Sequence, residues 1–197
     1  MARNKPWDAR CAAILVRPFC DSALHPNHFT LLRLVVGLAG AWTFSLGTHP
    51  NLGALLVVAS NFIDHTDGEL ARMSGKTSKF GHYFDLASDA IVTVGMFVGI
   101  GWGLAGALDN AALYGLISGA AVAAIFQIRQ VLEAAHGKSA TAQPALGGFE
   151  SEDILYLMPL VTYFDGLEMF LYAAAVGAPI ALLVVAVDFV RTKRRLA

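Results

Sequence analysis

The chain has 197 residues, of which 56% are hydrophobic and only 15% are charged. Soluble domains usually carry about a quarter charged residues, so this composition favours lipid as the surrounding solvent. The formal net charge of -1 excludes the broad basic field that is typical of nucleic-acid-binding proteins. The two cysteines, Cys11 and Cys20, are too few for a disulfide framework or a zinc site.

The N-terminal arm, residues 1–24, precedes the long apolar stretches of the chain. Trp7, Cys11, Ile14 and Leu15 share one face of a helix drawn over residues 5–19. A membrane span follows at once. We therefore expect an amphipathic helix that lies in the membrane interface.

Several of the apolar stretches approach the ~20 residues that a helix needs to cross a bilayer. Backbone groups in lipid must be paired within each segment, so these stretches predict helices. We predict six membrane-spanning helices, at residues 28–46, 52–72, 80–104, 111–132, 154–164 and 167–190. The predicted fold is an all-α integral membrane protein of one domain, residues 1–197, with a six-helix bundle over residues 28–190.

The positions of lysine and arginine predict the topology. With six spans, all 14 of them fall on one side or within a turn or two of it. The opposite connections, at residues 47–51, 105–110 and 164–166, contain none. The positive-inside rule then places both termini in the cytoplasm and the chain in the cytoplasmic membrane. A five-span arrangement would put the basic cluster at residues 191–195 outside, so we reject it.

Glycines recur inside the predicted spans at intervals of four residues: Gly95, Gly99 and Gly103, then Gly115 and Gly119. This spacing allows helices to approach closely. Packing within one bundle is the favoured interpretation, and a homodimer is left open.

A small, polar connection at residues 136–148 precedes the fifth predicted span. Ser151 is expected to cap that span, with Glu152 and Asp153 favoured by the helix dipole. The alternative is that these two residues and Glu150 bind a cationic acceptor.

Carboxylates lie in and near the second and third predicted spans. A charge inside a membrane has a high free-energy cost, so ionisable residues there indicate function. Asp64 and Asp67 share one helix face, and Asp85 and Asp89 share a face of the next span. The short connection makes the two spans antiparallel neighbours, so the two pairs converge. Oxygen ligands without histidine or cysteine favour Mg²⁺, Mn²⁺ or Ca²⁺.

Small residues lie beside these carboxylates. Gly68, Ala71 and Gly81 leave a slot in which a ligand can approach the backbone. Arg72, Lys76 and Lys79 bring positive charge to the same rim. A metal, basic residues and a slot together indicate a site for a diphosphate. All the residues on which this prediction of a diphosphate site depends lie within residues 64–89.

These residues follow the pattern D-x2-D-G-x2-A-R-x8-G-x3-D-x3-D, from Asp64 to Asp89. The pattern resembles the signature of the CDP-alcohol phosphotransferase family at all eight defined positions. Pro26-Asn27 and Thr30 are similar to the family's Pro-Asn-x-x-Thr element. The resemblance implies an enzyme of phospholipid biosynthesis that transfers a substituted phosphate from a CDP-linked donor to an alcohol and releases CMP.

The resemblance also implies roles for individual residues. Asp64, Asp67 and Asp85 would bind divalent metal, expected as two Mg²⁺ or Mn²⁺ ions. Asp89 would complete the metal site or act as the catalytic base on the acceptor hydroxyl. Binding of the donor is then expected of the remaining motif residues, namely Asn27, Gly68, Ala71, Arg72, Lys76 and Gly81.

Rival functions remain at this point. A membrane prenyltransferase also binds metal and diphosphate through aspartates, but the pattern of Gly68, Ala71 and Gly81 has no purpose there. A cation carrier would need carboxylates with access to both sides of the membrane. CDP-diacylglycerol is the favoured donor, with a soluble CDP-alcohol and a lipid acceptor as the alternative. Leu86 and Ala90 argue against glycerol phosphate as acceptor, and leave inositol phosphate and serine open.

Overall fold

A computed structural model describes residues 7–136 and 155–196, with side chains described at residues 8–132 and 155–191. All regular structure in these ranges is helical. The predicted acidic group at Glu150, Glu152 and Asp153 lies outside the described residues, as does most of the connection before it. The helices are α1 (Trp7–Val16), α2 (Pro26–Ser45), α3 (Pro50–Ser74), α4 (Lys79–Gly103), α5 (Ala111–His136), α6 (Met158–Tyr163) and α7 (Leu167–Leu196), with a 3-10 turn at Arg17–Phe19.

Three of these helices are long and apolar enough to cross a membrane: α4, residues 111–132 of α5, and residues 167–191 of α7. The fifth predicted span is different, because the helix found there, α6, has only six residues. The all-helical membrane architecture is therefore confirmed. The count of six spans stays a prediction.

Helix α1 packs against α3 through Asp8, Ala12 and Val16, all of which are buried. Its other face leaves Ile14 and Leu15 exposed. These two residues belong to the face that is predicted to enter the membrane interface. The exposure is compatible with that interfacial role, which stays a prediction.

The bundle is built around α4, which packs against α2 on one side and α5 on the other, while α3 packs on α2. Small residues make these contacts close. A Cβ on Gly95 would lie 3.5 Å from Ala41 Cβ, and a Cβ on Gly119 would lie 3.0 Å from Val94 Cα. The repeated glycines therefore pack inside the bundle, as predicted. The apolar core lies between the helices and includes Phe44, Val57, Met96, Phe97, Ile100, Met158 and Leu171.

Candidate active site

The connection between α3 and α4 brings the two halves of the acidic motif together. Helix α3 ends at Ser74 and is capped by Gly75, whose φ of 68° is the left-handed conformation that glycine adopts without strain. Ser78 then caps α4, because its hydroxyl accepts a hydrogen bond of 2.9 Å from the Gly81 amide. Gly75 thus ends α3 and Ser78 begins α4, which runs antiparallel to it. The two helices are not the packed neighbours that the short connection predicts, because each packs on α2 instead.

Carboxylate oxygens of Asp64, Asp67 and Asp85 lie within 4.8 Å of one another. Asp67 is buried, and Asp64 and Asp85 are partly exposed. Thr30 of α2 donates a hydrogen bond of 2.6 Å to Asp67 Oδ2 and so orients this carboxylate. The predicted convergence of α3 and α4 carboxylates is therefore observed.

The donor atoms fit a hard divalent cation. All are carboxylate oxygens, the ligand type that Mg²⁺ and Mn²⁺ prefer. Asp85 Oδ1 is buried and accepts no hydrogen bond from any described residue, although it lies 3.2 Å from Arg33 Nη2. The ion pair with Arg33 compensates this oxygen without a hydrogen bond, so its lone pairs are left for a further cation. The three residues are therefore suited to hold a metal.

Asp89 lies beside this group but is held differently. Its Oδ1 accepts a hydrogen bond of 2.7 Å from Arg33 Nη1, and its Oδ2 accepts one of 3.2 Å from Gln130 Nε2. Gln127, on the same helix as Gln130, donates to the carbonyl of Leu86 at 3.0 Å. Helix α5 thus supplies amides that fix the position of Asp89 and of the α4 backbone near it.

Arg33 of α2 is the residue that joins the two carboxylate pairs. Its Nη1 also forms an ion pair with Asp64, and its Nη2 donates a hydrogen bond of 2.9 Å to the carbonyl of Asp85. The side chain is only 4% exposed. A buried arginine that contacts both acidic helices balances part of their negative charge.

The residues that are predicted to form the slot lie at two separate places near the aspartates. A Cβ on Gly81 would lie 2.8 Å from Asn27 Oδ1, so the glycine allows Asn27 to approach α4. A Cβ on Gly68 would lie 3.3 Å from Arg72 Nη1. Arg72 is 60% exposed and pairs with the buried Glu69 at 2.8 Å. Ala71 lies partly buried on the same helix.

Lys76 is engaged away from the carboxylates. Its ammonium donates to the carbonyls of Ser22 and Leu24 at 2.6 and 3.1 Å. These bonds attach the α3–α4 connection to the segment that precedes α2. Binding of a substrate phosphate through Lys76 would require the ammonium to leave both carbonyls.

Two functional features escaped the sequence reasoning. Arg33 was counted only as a topology marker, although an arginine inside an apolar stretch is itself a signal that a buried partner exists. The second feature is the pair that His65 forms through Nε2 with the buried Asp8 of α1 at 2.8 Å. Tyr156 also contacts Asp8, at 3.4 Å. Spacing alone could not reveal this pair because its partners are far apart in the chain.

Comparisons with known proteins give the family. The model of the CDP-alcohol phosphatidyltransferase family, a family of phosphotransferases, matches residues 23–190. A phosphatidylinositol phosphate synthase of Streptomyces avermitilis is 30% identical over 183 residues, which cover 89% of this chain and 70% of the relative. An archaetidylinositol phosphate synthase of Pyrococcus horikoshii is 35% identical over 78 residues, which cover 40% of this chain and 41% of that relative.

Solved structures agree in fold. The phosphatidylinositol phosphate synthase of Mycobacterium tuberculosis with CDP-DAG bound has a TM-score of 0.70 at 24% identity, over 91% of this chain and 94% of that one. A second structure of that protein, in complex with manganese and citrate, has a TM-score of 0.69 at 23% identity, over 90% and 88%. The sequence motif, the helical fold and the family match agree, and the chain belongs to the CDP-alcohol phosphatidyltransferase family.

Proposed function

We propose that this protein transfers a substituted phosphate from a CDP-linked donor to the hydroxyl of an alcohol and releases CMP. The observation that carries the proposal is the convergence of Asp64, Asp67 and Asp85 within 4.8 Å, in the family's motif. CDP-diacylglycerol is the proposed donor. The relative that matches over most of this chain is named a phosphatidylinositol phosphate synthase, and one related structure holds CDP-DAG.

In this proposal the four aspartates have two different roles, metal binding and proton acceptance. Asp64, Asp67 and Asp85 hold divalent metal, with two ions of Mg²⁺ or Mn²⁺ expected at the complete site. A metal held by these residues would supply positive charge for the donor diphosphate and for the departing CMP. Asp89 accepts the proton of the acceptor hydroxyl. Its bonds to Arg33 and Gln130 support this role, because they hold the carboxylate in one orientation and still leave lone pairs free.

The donor is proposed to lie along the motif face of α3 and α4. Gly68 and Ala71 give it space beside the metal, and the exposed guanidinium of Arg72 reaches its phosphates. Asn27 and Gly81 lie at the N-terminal ends of α2 and α4, where they would line the slot for the cytidine. Lys76 contributes positive charge at the rim.

The acceptor is proposed to be a small polar alcohol, with inositol phosphate first and serine second. Gln130 supports a polar acceptor, since its amide lies on Asp89, and Gln127 of the same helix adds a second amide at the Leu86 carbonyl. The names of the relatives include both types of acceptor. Leu86 and Ala90 remain the argument against glycerol phosphate.

The proposed setting is the cytoplasmic membrane, with six spans, one domain over residues 1–197, an interfacial α1, and the site and both termini in the cytoplasm. The distribution of lysine and arginine supports this topology. Cysteine labelling from outside should reach substitutions at Thr48 or Asp109 and miss those at Lys193. The reverse pattern would show that the orientation is wrong.

Purified protein in liposomes tests the reaction. Release of CMP from CDP-diacylglycerol should require both a divalent metal and an alcohol acceptor from a panel that contains inositol phosphate, serine and glycerol phosphate. The Asp85→Asn variant is the matched inactive control. Turnover only with a soluble CDP-alcohol and diacylglycerol would select the alternative donor. Turnover of a prenyl diphosphate, or cation flux without CMP release, would reject the proposed class.

A further inference from the structure

The four motif aspartates form two overlapping groups with different occupants. Asp64, Asp67 and Asp85 bring their oxygens within 4.8 Å of one another. Asp64, Asp85 and Asp89 instead surround the guanidinium of Arg33. Asp64 and Asp85 belong to both groups. A cation in the first group therefore shares two ligands with the cation that already lies in the second.

Arg33 is fixed in this second group from several directions. Its Nη1 donates to Asp89 at 2.7 Å and its Nη2 to the carbonyl of Asp85 at 2.9 Å. Its own carbonyl accepts a hydrogen bond of 2.8 Å from the buried hydroxyl of Ser60. The side chain is 4% exposed, so water screens these contacts little. The guanidinium thus serves as a counter-ion that belongs to the protein.

We propose that Arg33 and a second divalent ion compete for Asp64, Asp85 and Asp89, so that the two metal positions of this site are unequal. The inference rests on the proposed metal site. The first ion binds to Asp64, Asp67 and Asp85 with Arg33 in place. The second ion binds only when the guanidinium gives up Asp89, because Arg33 Nη1 contacts both Asp64 and Asp89 and so takes the space between them that this ion would need.

The physical basis is the cost of separating buried opposite charges. Releasing Asp89 from Arg33 gives up an ion pair and a hydrogen bond in a poorly solvated site, and the freed guanidinium must find other partners. That cost is subtracted from the binding of the second ion only. We therefore expect the second ion to bind more than about tenfold more weakly than the first.

The same contact gives Arg33 a role before metal binds. Four carboxylates that face one another without a cation repel, and Arg33 offsets this repulsion in the metal-free protein. In the metal-free protein it also shares Asp89 with Gln130, so there it acts as a positioning residue for that carboxylate. Arginine suits this task because its planar fork contacts several acceptors at once, which a lysine ammonium does less well.

Mn²⁺ titration of the full chain in detergent, followed by the EPR signal of free Mn²⁺, tests the proposal. The wild type should bind one ion tightly and a second more than about tenfold more weakly. In Arg33→Met the second ion should bind more tightly than in the wild type, to within about threefold of the first. Arg33→Lys should fall between them. Arg10→Met, at an exposed arginine of α1, is the matched control and should resemble the wild type.

Thermal unfolding supplies a second readout that does not depend on activity. In chelator, Arg33→Met should unfold at a lower temperature than the wild type, and Mn²⁺ should raise its midpoint more than that of the wild type. If Arg33→Met does not fold, Arg33→Lys carries both measurements. Two equally tight ions in the wild type, or unchanged affinities in the Arg33 variants, would overturn the inference.

The outcomes separate this inference from the proposed function. A wild type that binds no Mn²⁺ would overturn both. Unequal Mn²⁺ binding that becomes equal in Arg33→Met supports the inference even if no CMP is released, in which case the proposed reaction alone fails. CMP release with two equivalent ions in the wild type would leave the reaction standing and overturn the role of Arg33.

Discussion

The two ends of the α2–α4 contact are held together by different means. At the end that carries the motif, the helices are joined by charge and hydrogen bonds, chiefly from Arg33 to Asp85 and Asp89. At the other end they are joined by close backbone approach. A Cβ added to Gly99 or Gly103 would collide with the carbonyl oxygens of Ala41 and Phe44.

The difference shows where the bundle gains stability and where it keeps space for chemistry. Lipid gives helices little hydrophobic reason to associate, so close packing of small residues supplies contact energy at the glycine end. The motif end cannot be packed in this way if the proposed substrate and metal are to enter there. Its helices are positioned instead by a polar network around Arg33.

The largest expected effect comes from substitutions that disrupt the motif end and leave the glycine end intact. Asp67→Asn or Asp85→Asn should lower CMP release at least about 10³-fold, because the metal that stabilises the departing charge is lost. The glycine end should be untouched, so the thermal midpoint in chelator should not fall. Asp109→Asn, in the connection at the opposite end, is the control. Near-normal turnover with wild-type metal dependence would contradict the assignment.

Asp89→Asn tests whether, within the motif end, Asp89 has a different role from the metal-binding aspartates. We expect the first metal ion and the CDP-linked donor to bind as in the wild type, while transfer falls about 10²–10⁴-fold because the base is lost. Calorimetry measures binding, and CMP release measures turnover. If this variant loses the first metal ion as fully as Asp64→Asn does, Asp89 is chiefly a ligand.

Gly99→Leu tests the glycine end. The new side chain must push α4 away from the Ala41 carbonyl, which we expect to cost about 1–3 kcal/mol of unfolding free energy. Turnover per folded molecule should change little, since the motif lies at the other end. Gly177→Leu is the matched control, because a Cβ there meets nothing within 4 Å. Equal stability of the two variants would show that close approach at Gly99 is unimportant.

The smallest expected effect concerns α1, which is attached near the motif by Asp8. Asp8→Asn removes the charge from its pair with His65, and we expect a loss of about 0.5–1.5 kcal/mol, as for one hydrogen bond. Limited proteolysis of the N-terminal arm and thermal unfolding measure it. Asp21→Asn, at an exposed residue outside α1, should leave both unchanged. A larger loss of turnover than of stability would instead link α1 to the site.

The spacing of residues along the chain was enough to predict the helical fold and the acidic group. Residues three, four and seven apart lie on one helix face, so Asp64 and Asp67 must lie together wherever the helix packs. The short connection at residues 75–78 makes α3 and α4 antiparallel, although both pack on α2 rather than on each other. The repeated glycines likewise indicated contacts inside the bundle. These conclusions depend on chain neighbours, which the amino-acid sequence contains explicitly.

Contacts between distant residues needed the tertiary structure. Arg33 lies 56 residues from Asp89 and 52 from the Asp85 carbonyl that it contacts, and Asp89 lies 41 residues from Gln130. No spacing rule relates these residues, since their meeting depends on how α2, α4 and α5 pack. The sequence by itself determined the family and the residues that are proposed to carry its chemistry. Only the tertiary structure decided which cation balances them, because long-range electrostatic partners are chosen by packing.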